Sequence, residues 1–133
     1  MPTIFSRIIA GEIPCYKLHE DEYTFVFLDI RPLQLGHTLI VPKIEVDQLY
    51  ELPEPYFTAL HQTAHKVATA LKKASWCVRI GSLVLGFEVP HAHLHLVPLN
   101  SEKDLDLSNA HTESPEAMHI IQQAILDELQ NRI

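Results

Sequence analysis

Between Val89 and Pro98 the chain reads VPHAHLHLVP, with histidine at every second position (His91, His93, His95) and Ala92, Leu94 and Leu96 between or after them. Successive side chains of an extended strand leave opposite faces of the pleat, so a period of two means one shared face. The pattern predicts a strand, HAHLHLVP, that carries three imidazoles on one side and sets three apolar side chains against a core.

The rest of the chain supplies the neighbours for such a strand. In PTIFSRIIAGEI, the apolar residues Ile4, Phe5, Ile8 and Ile9 predict a short amphipathic helix ended by Gly11. CYKLHEDEYTFVFLDI reads as two strands joined at Glu20, Asp21 and Glu22, and HTLIVP as a third. Pro53 and Pro55 open a long helix from about Glu54 to Lys73, with Leu60, Ala64, Val67 and Leu71 on one face. WCVRIGSLVL reads as a fourth strand with a bend at Gly81, and Gly86 to Pro90 as a loop before the histidine strand. SEKDLDLSNAHTES is a polar connection, and from Pro115 the residues Ile121, Ile125 and Leu129 mark a last amphipathic helix. Strands grouped as hairpins with helices set apart predict an antiparallel α+β fold.

Composition narrows the function classes. At 133 residues, the chain fits one domain, and a 47% hydrophobic content is enough for a packed core. The formal net charge of −7, with no block of Lys and Arg, argues against a surface built for nucleic acid polymers. No apolar run reaches the ~20 residues of a membrane helix. The N-terminal residues are interrupted by Ser6, Arg7 and Glu12, unlike a secretory signal. Cys15 and Cys77 lie far apart in the sequence, which fits a reduced, cytoplasmic setting.

Three alternating histidines admit three uses. An imidazole can attack phosphorus near neutral pH, since its free pKa is about 6.5, and its neighbours can stabilise phosphate charge or protonate a leaving group. Two or three histidines on one strand can bind zinc with a further ligand. They can also be ordinary surface or half-buried residues. His61 and His65, one turn apart on the long helix, are read as a solvated helix face.

With its apolar spacing, His91-Ala92-His93-Leu94-His95-Leu96-Val97 resembles the motif of the histidine-triad (HIT) family and is similar to its HINT-like nucleotide hydrolase branch. IFSRIIAGEIP, FVFLDIRP and GHTLIVPK resemble the family's other segments, in order, from Ile4 to Pro98. The resemblance implies a HIT-like antiparallel five-stranded sheet with a short N-terminal helix, a long helix and a C-terminal helix. It assigns 1–133 to a single HIT domain, with 1–99 as the matching core and 100–133 as a C-terminal extension. It implies a homodimer and a nucleotide pocket. Residue by residue, it makes His93 the nucleophile, His91 and His95 its flanking partners, and His37 a supporting histidine. Asp29 would accept from ribose hydroxyls, with Ile30, Ile4, Phe5, Ile8 and Phe27 around the base, and Gly86 and Glu88 in the loop before the triad. Taken without the resemblance, Asp29 could end a strand, and Phe5, Ile8 and Phe27 could be plain core.

The segment RIGSLVLGFEVPH departs from the family pattern. Ile80 and Gly81 stand where amide residues are expected, Phe87 where Gln is common, and Glu45 where many members carry another histidine. An amide lost from the phosphate site would slow turnover. The expected function is a hydrolase or transferase that cleaves at the α-phosphate of a purine nucleotide derivative (a phosphoramidate, an acyl-nucleotide or a dinucleoside polyphosphate). It would work through a nucleotidyl-histidine, with no metal or other cofactor, no nucleic acid polymer and no membrane. A nucleotide-binding module with little catalysis is the alternative, and a metal-dependent hydrolase a third.

Overall fold

The structure is a computed structural model that describes residues 2–131. Its elements are α1 (Ile4–Ile9), β1 (Lys17–Glu20), β2 (Thr24–Leu28), β3 (Thr38–Pro42), α2 (Tyr56–Ser75), β4 (Arg79–Leu83), β5 (Leu94–Leu99) and α3 (Pro115–Gln130). The five strands form one sheet in the order β1-β2-β3-β5-β4, and every neighbouring pair is antiparallel. This is the α+β architecture the sequence predicts.

β2 and β3 are buried along their whole length because the sheet is covered on both faces. Val26, Leu28, Ile40, Leu94 and Leu96 join a core with Leu60, Val67 and Leu71 of α2 and Ile121 and Ile125 of α3. Phe25, Phe27, Leu39 and Val41 pack instead with Phe5 and Ile8 of α1. The two large helices therefore sit on one face and the short one on the other. His95 stands opposite Leu39 in the ladder, so it belongs to the α1 face.

Local chemistry explains the joints. At the β1–β2 turn, Asp21 Oδ1 accepts from the main-chain N–H groups of Tyr23 (3.0 Å) and Thr24 (2.8 Å), as predicted for an acidic turn. Ser114 caps α3 by accepting from Ala117 N–H, with Pro115 at the first helical position. Gly36 has φ of +100°, and a Cβ there would lie 3.2 Å from Leu71 Cδ1 and 3.3 Å from Pro98 Cγ. Gly36→Ala therefore meets both backbone strain and crowding. It is expected to destabilise the fold by about 1–3 kcal/mol, read as a lower denaturant midpoint. An unchanged midpoint would count against this geometry.

Four features differ from the sequence expectation. The fourth strand is shorter than WCVRIGSLVL, because Trp76 closes α2 in a left-handed conformation (φ 57°). Gly81 makes no bend. It pairs with Val97 in the ladder, and its missing side chain admits Leu99, whose Cδ1 lies 2.5 Å from where a Cβ would be. The fifth strand begins at Leu94, so His91 and His93 precede the ladder and Ala92 N–H donates to Val46 O (2.7 Å) instead. The polar connection 101–114 is not featureless: it holds two short 3-10 turns, Glu102–Leu105 and Leu107–Asn109, the first closed by a Ser101–Asp104 capping box.

Candidate active site

The loop and strand from His91 to His95 place three imidazoles on the α1 face, but not in a simple row. The rings of His93 and His95 are in contact (centroids 4.9 Å apart), and His37 from the start of β3 stands 5.1 Å from His95. His91 lies apart: Phe5 of α1 sets its ring edge against both His91 (5.7 Å) and His93 (5.0 Å).

Hydrogen-bond partners dictate where each ring proton sits. Leu33 N–H can only donate, and it reaches His37 Nδ1 at 3.0 Å. The neutral His37 ring must then carry its proton on Nε2, which donates to His95 Nδ1 at 2.9 Å. His95 in turn keeps its proton on Nε2. The carbonyl of His91 can only accept, and it takes the Nδ1 proton of His93 at 2.8 Å. That leaves a lone pair on His93 Nε2. The site thus pairs an unprotonated nitrogen on His93 with an N–H on the adjacent His95.

Burial keeps His37 and His95 neutral. It lowers His37 to about 4, with repulsion from His93 adding to it, and lowers His95 to about 4, with His37 and His93 adding and Asp29 opposing. Burial also lowers His91. Between about pH 4 and 6.5 the unfolded chain binds protons that the folded chain refuses. Stability is therefore full above the free histidine value and falls as pH drops through this window. The interval corresponds to roughly 3 kcal/mol for one such group. Urea midpoints should fall from about pH 7 to about pH 4.5; a flat profile would contradict the buried pair.

Asp29 ends β2 beside this pair. Its Oδ1 accepts from Arg31 N–H (2.8 Å), and its Oδ2 lies 3.7 Å from His37 Nε2. Burial raises its pKa, against the pull of the Arg31 N–H and the nearby histidines. A cavity of about 520 Å³ opens over Asp29, Arg31, His37, His93 and His95 and is walled by Leu107 and Ala110 of the C-terminal connection. A second, of about 800 Å³, meets His93 from the side of Asp47, Tyr50 and His61. Leu85, Gly86 and Phe87 lie between the two, and Glu88 lines only the first.

Asp29, His37 and His95 also bring one ligand atom each within 4.8 Å of one another, the arrangement a metal ion would use. As arranged, His37 offers no lone pair to it: Nδ1 accepts from Leu33, and Nε2 holds the proton given to His95. An ion here would have to break both bonds. His61 and His65 are exposed on α2, as read from the sequence.

The other assigned residues divide. Phe5, Ile8 and Phe27 are buried in the α1-side core, and neither cavity is lined by them or by Ile4 or Ile30. Ile4 (48% exposed) and Ile30 (66%) are apolar side chains left in water. Ile80 packs on the α2 face of the sheet, away from the histidines, so its replacement of an amide takes no donor from beside His93 in this structure. Phe87 is 94% exposed at the rim of both cavities. Sequence reasoning missed Thr3, whose hydroxyl meets His91, and the cavity wall at Leu107 and Ala110. Their contacts cross most of the chain and leave no local pattern.

The HIT domain family model matches residues 10–102. The chain belongs to the HIT domain family. Among HIT relatives, it is 39% identical over 101 residues to adenosine 5'-monophosphoramidase HNT1 of Saccharomyces cerevisiae, covering 75% of this chain and 64% of that one. It is 35% identical over 106 residues to adenylylsulfatase HINT3 of Arabidopsis thaliana, covering 76% of this chain and 53% of that one. The chain thus spans somewhat less than two thirds of each of these proteins. A HIT-like protein of Bartonella henselae superposes with a TM-score of 0.84 and 26% identity over 95% of both chains. That HIT structure shares the fold described above.

Proposed function

We propose that this protein is a hydrolase or transferase that cleaves at the α-phosphate of a purine nucleotide derivative, with His93 as nucleophile. The carrying observation is the His93 Nδ1–H to His91 carbonyl bond, which leaves Nε2 unprotonated beside a histidine N–H. His93 Nε2 attacks the α-phosphorus in line, and the bond to the leaving group breaks as the P–N bond forms. The Nε2 proton of His95 passes to the leaving atom, which an amine requires. Water then attacks the nucleotidyl-histidine and gives a proton back to His95 Nε2 as the P–N bond breaks, releasing a nucleoside monophosphate and restoring both rings.

The remaining groups fit substrate binding. Asp29 Oδ2, unused by Arg31, would accept from a ribose hydroxyl, and the exposed Ile4 and Ile30 would cover the base. Gly86 and Glu88 border the phosphate side through the loop before the triad. The names of two relatives, a phosphoramidase and an adenylylsulfatase, support chemistry at an adenylyl phosphorus. We also propose a homodimer: β4 is an edge strand, and Val78 (62% exposed) and Phe87 are large apolar side chains next to or near it. A mass of twice 15.1 kDa by light scattering would support this, and a monomer would refute it. Two free cysteines suit the cytoplasm, where we place the protein.

The test is single-turnover reaction with an adenosine phosphoramidate, followed by intact mass. A nucleotidyl adduct that forms and decays is the expected result. Bound nucleotide with no adduct and no product would replace the enzyme reading with that of a binding module.

A further inference from the structure

The carbonyl that orients His93 belongs to His91, so whatever holds His91 also holds the nucleophile. The His91 side chain is wholly buried (0% exposed) and is gripped from two distant parts of the chain. Its Nε2–H donates to the Pro42 carbonyl at 2.9 Å, which leaves the lone pair on Nδ1. Thr3 Oγ1 lies 2.7 Å from that nitrogen, and its hydroxyl is the donor. The same oxygen accepts from Ser6 N–H at 3.1 Å, capping α1. Thr3 therefore serves the helix as an acceptor and His91 as a donor. A separate tie runs through Glu45, whose Oε1 accepts from Thr3 N–H (2.8 Å) and from the Ser6 hydroxyl (2.5 Å).

We propose that Thr3 is a positioning residue for His93: its hydroxyl holds His91 as the Nε2–H tautomer, and the His91 carbonyl then holds His93 as the Nδ1–H tautomer. This rests on the reading of His93 as the nucleophile. In Thr3→Val the Nδ1 lone pair of a buried ring has no donor, and an unpaired buried polar atom is costly. The ring can recover a partner only by turning or by moving its proton. Either change gives up the Pro42 bond and shifts the 91–93 backbone, which has no strand ladder to steady it. Thr3→Ser keeps the hydroxyl. Glu45→Ala loosens the helix tie but leaves the Thr3 hydroxyl in place.

The test combines ring-nitrogen NMR of the nucleotide-free protein with steady-state kinetics on an adenosine phosphoramidate. In the parent protein, the expected tautomers are Nε2–H for His91 and Nδ1–H for His93. Thr3→Val should mix the His93 tautomers and lower kcat by about tenfold or more, with KM changed much less, since a small misplacement of a reacting group is costly. Thr3→Ser should restore both, and Glu45→Ala should cost less than Thr3→Val with His93 unmixed. The proposal is overturned by a parent His91 in the Nδ1–H form, by Thr3→Val with unmixed His93 and kcat intact, or by a Glu45→Ala loss equal to that of Thr3→Val. A parent protein with no turnover would refute the reaction and not the tautomer chain, which the NMR arm decides alone.

Discussion

His93→Ala is expected to lower kcat/KM by about a thousandfold or more, since no other group can form the covalent intermediate. The loss should be accompanied by complete absence of the adduct. His93 lies before the β5 ladder, in a part of the backbone held by Ala92 N–H on Val46 O, a bond that does not use its side chain. The fold should therefore survive, with a cost of about 1–3 kcal/mol for the vacated space and the unpaired His91 carbonyl. Kinetics, intact mass and circular dichroism of the variant check all three statements. Substantial remaining turnover in a folded variant would exclude this nucleophile.

Replacing His37 should reveal which leaving groups need a proton. His37 is the only side chain hydrogen-bonded to His95 among the described residues, and the Leu33 N–H fixes its polarity. In His37→Leu, His95 Nδ1 loses its donor, and the ring is free to take the other tautomer. Its Nε2 then has no proton to give. Turnover of a phosphoramidate, whose amine departs poorly unless protonated, should fall by about 10²-fold. A nucleotide anhydride, whose leaving oxyanion is stable without a proton, should lose far less. Equal losses on both substrates would move His37 from proton placement to plain support of the pocket. Because His37 is 3% exposed, thermal melts of the variant are needed alongside the rates.

Much of this arrangement was legible from local sequence. The alternation of Ala92, Leu94 and Leu96 with the histidines did place those three side chains in the core beneath them. Strands β2 and β3, helix α2 and helix α3 lie close to where periodicity and proline put them. What failed was the assumption that a period of two implies a strand throughout. The ladder starts only at Leu94, since Ala92 turns its N–H to Val46, and that choice depends on a loop some forty-five residues earlier. The segment before the triad divides between the two faces of the sheet. Ile80 and Gly81 both stand where amides are expected; the strand alternation of β4 sends Ile80 to the helix face and leaves Gly81, opposite Val97, on the same face as His95. Arg31, Leu107 and Ala110 converge on one cavity from segments nearly eighty residues apart, and no pattern along the chain foretells that meeting.

The clasp of α1 on His91 joins residues 88 positions apart, and the His37–His95 bond joins residues 58 apart. Contacts of such long separation close large loops and form late in folding. The helices and the β1-β2-β3 strands can gather before β5 docks on β3 and aligns the reactive nitrogen, so recovery of turnover should lag behind recovery of helical signal in a refolding experiment. The single tryptophan will not report that lag: Trp76 is 92% exposed at the end of α2, and its emission should change little as the active site forms. A refolding trace followed by substrate cleavage would time the last step directly.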